Sequence, residues 1–286
     1  MINLKLPYII ILVVYFNFYE CYAIIFNNIL LFTYHLLGDL FMLYPLILTS
    51  LAGLSTLIGV IPIFVKIKNK DNIISASCSF ASGVMICISI LDLIPESIKY
   101  LSDAFNSFFV ISLCFIFMII GIILSMILDN YIDKVSSNGS LFKLGILSMI
   151  AIILHNIPEG IVTFIVSKNN IMLGISICIA IALHNIPEGI SIAVPIYYSS
   201  KSKFKAIFYT LLAGLSEPIG ALLTGLFLVN FVNDTVLGLL FSFIAGVMIQ
   251  IGSFKLLPTG KDYNKRISWI FFLLGFIVMI VSHILM

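Results

Sequence analysis

The six-residue word His-Asn-Ile-Pro-Glu-Gly stands twice in this chain, at His155–Gly160 and at His184–Gly189. Each copy lies inside a long apolar run, so any fold must place two histidine–glutamate pairs at the depth of a bilayer. Ionisable residues cost roughly 3 kcal/mol each there on insertion scales and are kept mainly where they serve a purpose. Within each copy the histidine and glutamate are four residues apart and share one helix face. An imidazole and a carboxylate on one face, supplied twice, form a plausible shell for a divalent metal ion.

The apolar runs recur along the chain. Of its 286 residues, 61% are hydrophobic and 10% charged, against roughly 25% charged in a soluble domain. With repeated apolar runs of about 20 residues, that composition specifies an all-α polytopic membrane protein. A net charge of +2 gives no reason to expect nucleic acid as a partner. The lipid bilayer is the expected surround. Five cysteines, Cys21, Cys78, Cys87, Cys114 and Cys178, show no CxxC spacing. All but Cys21 fall in expected spans, where a thiol packs as a small hydrophobe.

Residues 1–32 read either as a signal peptide or as an additional transmembrane segment, and a core of eight spans follows from residue 41 to 286. The spans run over Phe41–Val65, Ile73–Ile98, Phe105–Leu128, Leu141–Val166, Ile171–Tyr197, Phe204–Phe231, Thr235–Leu257 and Ser268–Leu285. Basic residues then orient them. Lys66, Lys68 and Lys70, then Lys134 and Lys143, then Lys201, Lys203 and Lys205, and finally Lys255, Lys261, Lys265 and Arg266 all fall on one side. The other side holds Lys99 and Lys168. Positive charge marks the cytoplasmic face, so both ends of the eight-span core should be non-cytosolic.

The two central copies are 29 residues apart in consecutive spans, so they run antiparallel and can face each other at mid-depth. A second repeat flanks them. Gly83-Val84-Met85-Ile86 and Leu93-Ile94-Pro95 return as Gly246-Val247-Met248-Ile249 and Leu256-Leu257-Pro258, 163 residues later. By the charge assignment these two spans run in opposite directions. The pattern is a 3+2+3 inverted-repeat arrangement, a device of transporters that alternate access around a central site.

Proline follows inside each central word. Pro158 cannot donate to the Leu154 carbonyl, nor Pro187 to that of Leu183, so each helix should loosen and bend beside its histidine. Such backbone at bilayer depth is tolerated where it lines a cavity or is buried in protein. Span six adds Glu217, again at mid-span and again followed by a proline, in Ala213-Gly214-Leu215-Ser216-Glu217-Pro218-Ile219-Gly220. Three intramembrane carboxylates with no basic neighbours in the spans call for protons or for a bound cation. Asn156 and Asn185 read equally as ligands or as interhelical contacts. Asp92 and Glu96, near the outer end of span two, read as an ion-attracting mouth or as solvated charges. Met85 and Met248 fit packing better than thioether ligation. His35 and His283 stand alone near span ends and read as structural or exposed.

At these residues the chain resembles the ZIP (Zrt/Irt-like protein) family of divalent-metal transporters, in particular its broad-specificity branch with HNxPEG in both central spans. The resemblance covers essentially Phe41 to Met286, which would form one ZIP transporter domain. The Ile- and Asn-rich sequence is also similar to that of a malaria-parasite member. The resemblance implies transport of Zn²⁺ and/or Fe²⁺ into the cytosol, with Mn²⁺, Co²⁺ and Cd²⁺ as further candidates, by an elevator-like alternating-access movement. It implies a binuclear site in mid-membrane. One metal would sit between His155, Glu159, His184 and Glu188, with Met85 as an optional ligand. The other would use Asn156, Asn185 and Glu217 and share Glu159 and Glu188, with Asp92 and Glu96 as outlying candidates. No other cofactor is implied; a homodimer and a plasma-membrane or organelle location are compatible. Two departures stand out: Lys255 occupies a place where related members often carry an acid, and a histidine-rich cytoplasmic loop is absent. An intramembrane metal-dependent hydrolase is the competing reading, weakened because the chain has no His-Glu-x-x-His.

Overall fold

The computed structural model describes residues 40–65, 69–135, 139–228 and 233–285. The N-terminal signal or extra span expected over 1–32, together with Cys21 and His35, lies outside the described residues.

Every described element is helical. Helix α1 (Leu40–Ser55) runs directly into a 3₁₀ helix, Thr56–Phe64. Helix α2 (Lys70–Ile88) passes through a π turn, Ser89–Leu93, into α3 (Ile94–Ser102). Then come α4 (Ser107–Val135), α5 (Ser140–Asn169), α6 (Ile171–Ser200) and α7 (Lys203–Leu223). A π turn, Thr224–Leu228, extends α7. Helix α8 (Asp234–Ile251) passes through another, Gly252–Leu256, into α9 (Leu257–Leu285).

Asparagine and serine set several of the starts. Asn69 accepts from the amides of Asp71 and Asn72, Asn170 from those of Met172 and Leu173, and Asn233 from that of Val236. Ser202 accepts from the Lys205 amide. Each side chain satisfies donors that the first helical turn leaves without a partner. Asn264 does more. Its φ of −159° and ψ of 101° break α9, and its side chain then accepts from the Ile267 amide to start a second leg.

Among the described residues, seven helical stretches are long and apolar enough to cross a membrane. Their edges fall within a few residues of the expected spans. The last, Asp234–Ile284, has 51 residues, which would extend about 75 Å if straight, more than twice a hydrocarbon core. Asn264 divides it where the sequence places the link between spans seven and eight. Large apolar side chains lie exposed along α4 and along the second leg of α9, as expected of surfaces that face lipid rather than water.

The interior is built on α5 and α6, which lie against each other and are enclosed by α1, α7, α2 and α8. The main apolar cluster includes Val84, Met85 and Ile88 of α2, Leu147 and Ile152 of α5, Ile192 and Ile196 of α6, and Ile244 and Met248 of α8. Met85 and Met248 are both fully buried in it. Cys78, Cys87, Cys114 and Cys178 are buried free thiols, also as expected.

Candidate metal centre

Helices α5 and α6 carry their two identical words to the same depth, face to face. The helices run through Pro158 and Pro187 without ending. Each helix thus stays continuous despite the donor its proline lacks, with tertiary contacts on both sides of the gap. Two glycines set the spacing to the neighbours. At Gly160 the carbonyl of Glu217 occupies the place of a Cβ, and at Gly189 the carbonyl of Thr56 does the same. Helix α7 thus closes on α5, and the start of the 3₁₀ segment closes on α6, through positions that admit no side chain.

The histidines and glutamates converge. His184 Nε2 lies 3.1 Å from Glu159 Oε1. His155 Nε2 lies 3.1 Å from the same oxygen and 3.7 Å from Glu188 Oε1. The imidazole rings are 6.0 Å apart, centre to centre. His155, Glu159 and His184 each offer one ligand atom, and those atoms lie within 4.8 Å of one another. Two nitrogens and an oxygen at that separation can surround a divalent ion at about 2 Å from each.

A second group adjoins the first. Asn185 Nδ2 donates to Glu217 Oε2 at 3.0 Å and to the Ala52 carbonyl at 2.9 Å. Asn156 Nδ2 donates to the Ala213 carbonyl at 3.3 Å. Both asparagines therefore tie helices together through their amide nitrogens. Their carbonyl oxygens have no hydrogen-bond partner, nor do either oxygen of Glu188, Oε1 of Glu217, Oε2 of Glu159 or the ring nitrogens of His155. The two readings of each asparagine are compatible: one end joins helices, the other end is left as an acceptor.

Burial makes these open atoms meaningful. His155, Asn156, Asn185, Glu188 and Glu217 are completely buried, while Glu159 and His184 retain 9% and 8% exposure. Buried polar atoms are normally satisfied, because an unmet one costs on the order of 1–3 kcal/mol. So many oxygens and nitrogens without partners in one place are the arrangement a cation would complete.

Glu159 lines a cavity of about 120 Å³ together with Asp92, Glu96, Val162 and Thr163. The structure thus brings Asp92 and Glu96 to the mouth of the site without making them part of its centre. Both also have basic residues beside them: Glu96 pairs with Lys99 at 3.0 Å, and Asp92 meets His283 Nδ1 at 2.7 Å. His283 is exposed as expected, but it does not stand alone. Its partner lies 191 residues away, a separation that no local pattern could reveal. Met85 lies fully buried in the apolar cluster on the helix that packs against α6.

Two residues at the site were not legible in the sequence. Thr163 stands one turn beyond Glu159, lines the same cavity, and has a buried hydroxyl with no partner. Thr56 is fully buried beside Gly189, also with an unmet hydroxyl. The i, i+4 step from Glu159 was the available signal for Thr163; nothing local marks Thr56.

Comparison with known proteins fits this geometry. A family model described as "ZIP Zinc transporter" matches residues 136–283. A protein named zinc transporter ZupT from Streptococcus mutans is 37% identical over 253 residues, covering 84% of this chain and 96% of its own length. Namesakes from Clostridium perfringens and Campylobacter jejuni are 36% and 35% identical, covering 85% and 77% of this chain and 96% and 88% of their own lengths.

Proposed function

The chain belongs to the ZIP family of metal transporters, and on that premise we propose that it moves divalent metal ions, Zn²⁺ first among them, across a membrane without a chemical step. The observation that carries the reading is the convergence of His155, Glu159 and His184 ligand atoms within 4.8 Å. Relatives named as zinc transporters support Zn²⁺ as cargo. Fe²⁺ accepts the same imidazole and carboxylate donors, and the missing thiolates favour a site that also releases its ion.

The proposed path begins in the cavity lined by Asp92, Glu96 and Glu159. Carboxylates there attract a hydrated cation, and Glu159, facing both the cavity and the two histidines, passes it inward. His155, His184, Glu159 and Glu188 hold it in mid-membrane. Asn156, Asn185 and Glu217, with Glu159 and Glu188 shared, hold a second ion beside it. Each imidazole must be neutral and each carboxylate ionised to ligate, so binding competes with protons. The loop charges support a non-cytosolic side for the acidic cavity, and the reading has net movement into the cytosol, across the plasma membrane in the simplest assignment. Release requires the helices bearing the site to shift against the others in an elevator-like step. The close, side-chain-free contact at Gly189, between α6 and the 3₁₀ segment, suits such movement, while that at Gly160 holds α5 and α7 together as one site-bearing unit. The alternative from the sequence, an intramembrane hydrolase, gains nothing from relatives that are transporters.

Purified protein in liposomes tests the reading. Radioactive Zn²⁺ should accumulate saturably, and Fe²⁺, Mn²⁺, Co²⁺ and Cd²⁺ should compete in an order that ranks the cargo. Absence of protein-dependent accumulation of any of these ions would refute it.

A further inference from the structure

The flanking repeat in the sequence reappears in the backbone. The π turns Ser89–Leu93 and Gly252–Leu256 are 163 residues apart, the offset of Gly83-Val84-Met85-Ile86 from Gly246-Val247-Met248-Ile249. Helix contacts follow the same rule. Carbonyls of Phe272 and Phe80 fill the Cβ places of Gly83 and Gly275, joining α2 to α9. Carbonyls of Met118 and Phe243 fill those of Gly246 and Gly121, joining α8 to α4. Phe80 and Gly83 thus correspond to Phe243 and Gly246 by 163, while Met118 and Gly121 correspond to Phe272 and Gly275 by 154. The sequence agrees with the second offset too: Ile116-Phe117 and Gly121 return as Ile270-Phe271 and Gly275.

Carried one or two turns further, these offsets pair Asp92 with Lys255 and Asp129 with His283. Both combinations make a contact. Asp92 Oδ1 meets His283 Nδ1 at 2.7 Å, and Lys255 Nζ forms an ion pair with an Asp129 carboxylate oxygen. One inter-helix contact is therefore made twice, with acid and base exchanged between its two positions. The cavities differ accordingly. Asp92 shares its cavity with Glu96 and Glu159. Lys255 shares a cavity of about 180 Å³ with Asp129, Ser140, Lys143 and Thr259. Leu147 lines that second cavity, and Leu147, Ala151, His155 and Glu159 step along one face of α5 at i, i+4 spacing, so the cavity lies along the same helix face as the site, on its other side. Eight residues separate Leu147 from His155, about 12 Å along a helix.

We propose that Lys255 is a release residue: a tethered cation at the exit mouth that holds Asp129, prevents a leaving metal ion from being retained there, and makes the two mouths electrostatically unequal. This rests on the transport reading above. The physical reason is competition. Asp129 with the hydroxyls of Ser140 and Thr259 offers hard oxygen donors to a divalent ion. An ammonium already at that carboxylate occupies its charge and repels the ion, while on the entry side the corresponding place carries a carboxylate that attracts it. Lys255 and Asp129 are about one-third and one-fifth exposed, so the effect is moderated by solvent but not removed.

The test measures equilibrium Zn²⁺ stoichiometry of the detergent-solubilised full chain beside initial uptake rates in liposomes. Lys255→Glu should bind one more Zn²⁺ per chain than the unsubstituted protein. Its maximal uptake rate should fall about fivefold, the scale of a partly exposed charge pair, with KM little changed because entry is untouched. The exchanged pair Asp129→Lys with Lys255→Glu should lose the additional ion and recover most of the rate. A Lys255→Glu protein that is folded, binds no additional Zn²⁺ and transports at the original rate overturns the proposal. So does an exchanged pair that stays as slow as Lys255→Glu, since that marks a structural defect. Failure of the unsubstituted protein to transport at all would instead refute the function from which the proposal starts.

Discussion

The two copies of His-Asn-Ile-Pro-Glu-Gly are identical in sequence and unequal in surroundings. In the first, His155 is completely buried and its glutamate, Glu159, reaches both histidines and the entry cavity. In the second, His184 keeps slight exposure, and Glu188 is sealed with neither oxygen hydrogen-bonded. Asn156 meets a backbone carbonyl of α7, whereas Asn185 meets a backbone carbonyl of α1 and the Glu217 carboxylate. The difference comes from the flanking helices: α7 contributes an acid where the 3₁₀ segment after α1 contributes Thr56. Equal sequences thus supply equal donors, and the neighbours set their surroundings: Glu159 meets the cavity and both histidines, while Glu188 is sealed.

The sharpest way to break this comparison is at the glutamates. Glu188→Ala and Glu159→Ala should each reduce uptake at least about a hundredfold, since even groups that only orient ligands cost up to that. Both proteins should still reach the membrane. If Glu188→Ala transports normally, the second copy is scaffold and the comparison collapses. Zn²⁺ at a hundred times its Kd should stabilise the unsubstituted protein by about 2.7 kcal/mol, seen as a raised melting temperature, and that increment should disappear in Glu188→Ala.

The asparagines give a smaller and unequal effect. Asn185→Ala removes a helix tie and the partner of Glu217, so it should lower uptake about tenfold, in the range for groups behind the ligands. Asn156→Ala should cost less in the same assay, because its amide meets only backbone. Equal losses would mean that the open carbonyl oxygens, and not Glu217, dominate.

The glycines should restore symmetry. Gly160→Ala and Gly189→Ala each push a methyl group into a carbonyl of the neighbouring segment, and each should cost about 1–3 kcal/mol, read as a lowered melting temperature in detergent. A loss at only one of them would show that one neighbour yields and the other does not.

The smallest effects belong to the entry mouth. Asp92→Asn should raise KM a few-fold with little change in maximal rate, and His283→Ala should alter uptake by about twofold or less, because their pair is partly exposed. A large loss at His283 would show that the pair closes the mouth rather than decorating it.

Much of this was legible in the sequence because membrane chains obey few rules strictly. Apolar run length set the helices within a few residues, since an unsatisfied backbone in lipid leaves no alternative. The i, i+4 pairs set which side chains share a face. Other features were hidden. The proline gaps did not end α5 or α6, because packing on both sides outweighs one missing hydrogen bond. His283 looked solitary because its partner is remote in the chain. Thr56 carries no local pattern, and Thr163 only its i, i+4 step from Glu159. The backbone conformation and cap of Asn264, which turn α9 back along α2, have no counterpart in the hydropathy pattern.

By itself, then, the sequence determined that this is an all-helical membrane protein carrying paired imidazole–carboxylate donors at mid-depth, because bilayer thickness and helix periodicity act on local residues. Only the tertiary structure decided which of two identical glutamates faces the entry cavity, which asparagine holds Glu217, and that Lys255 meets Asp129 where its repeat counterpart Asp92 meets His283. Those assignments depend on which helices become neighbours, and that follows from the packing of the whole bundle rather than from any stretch within it.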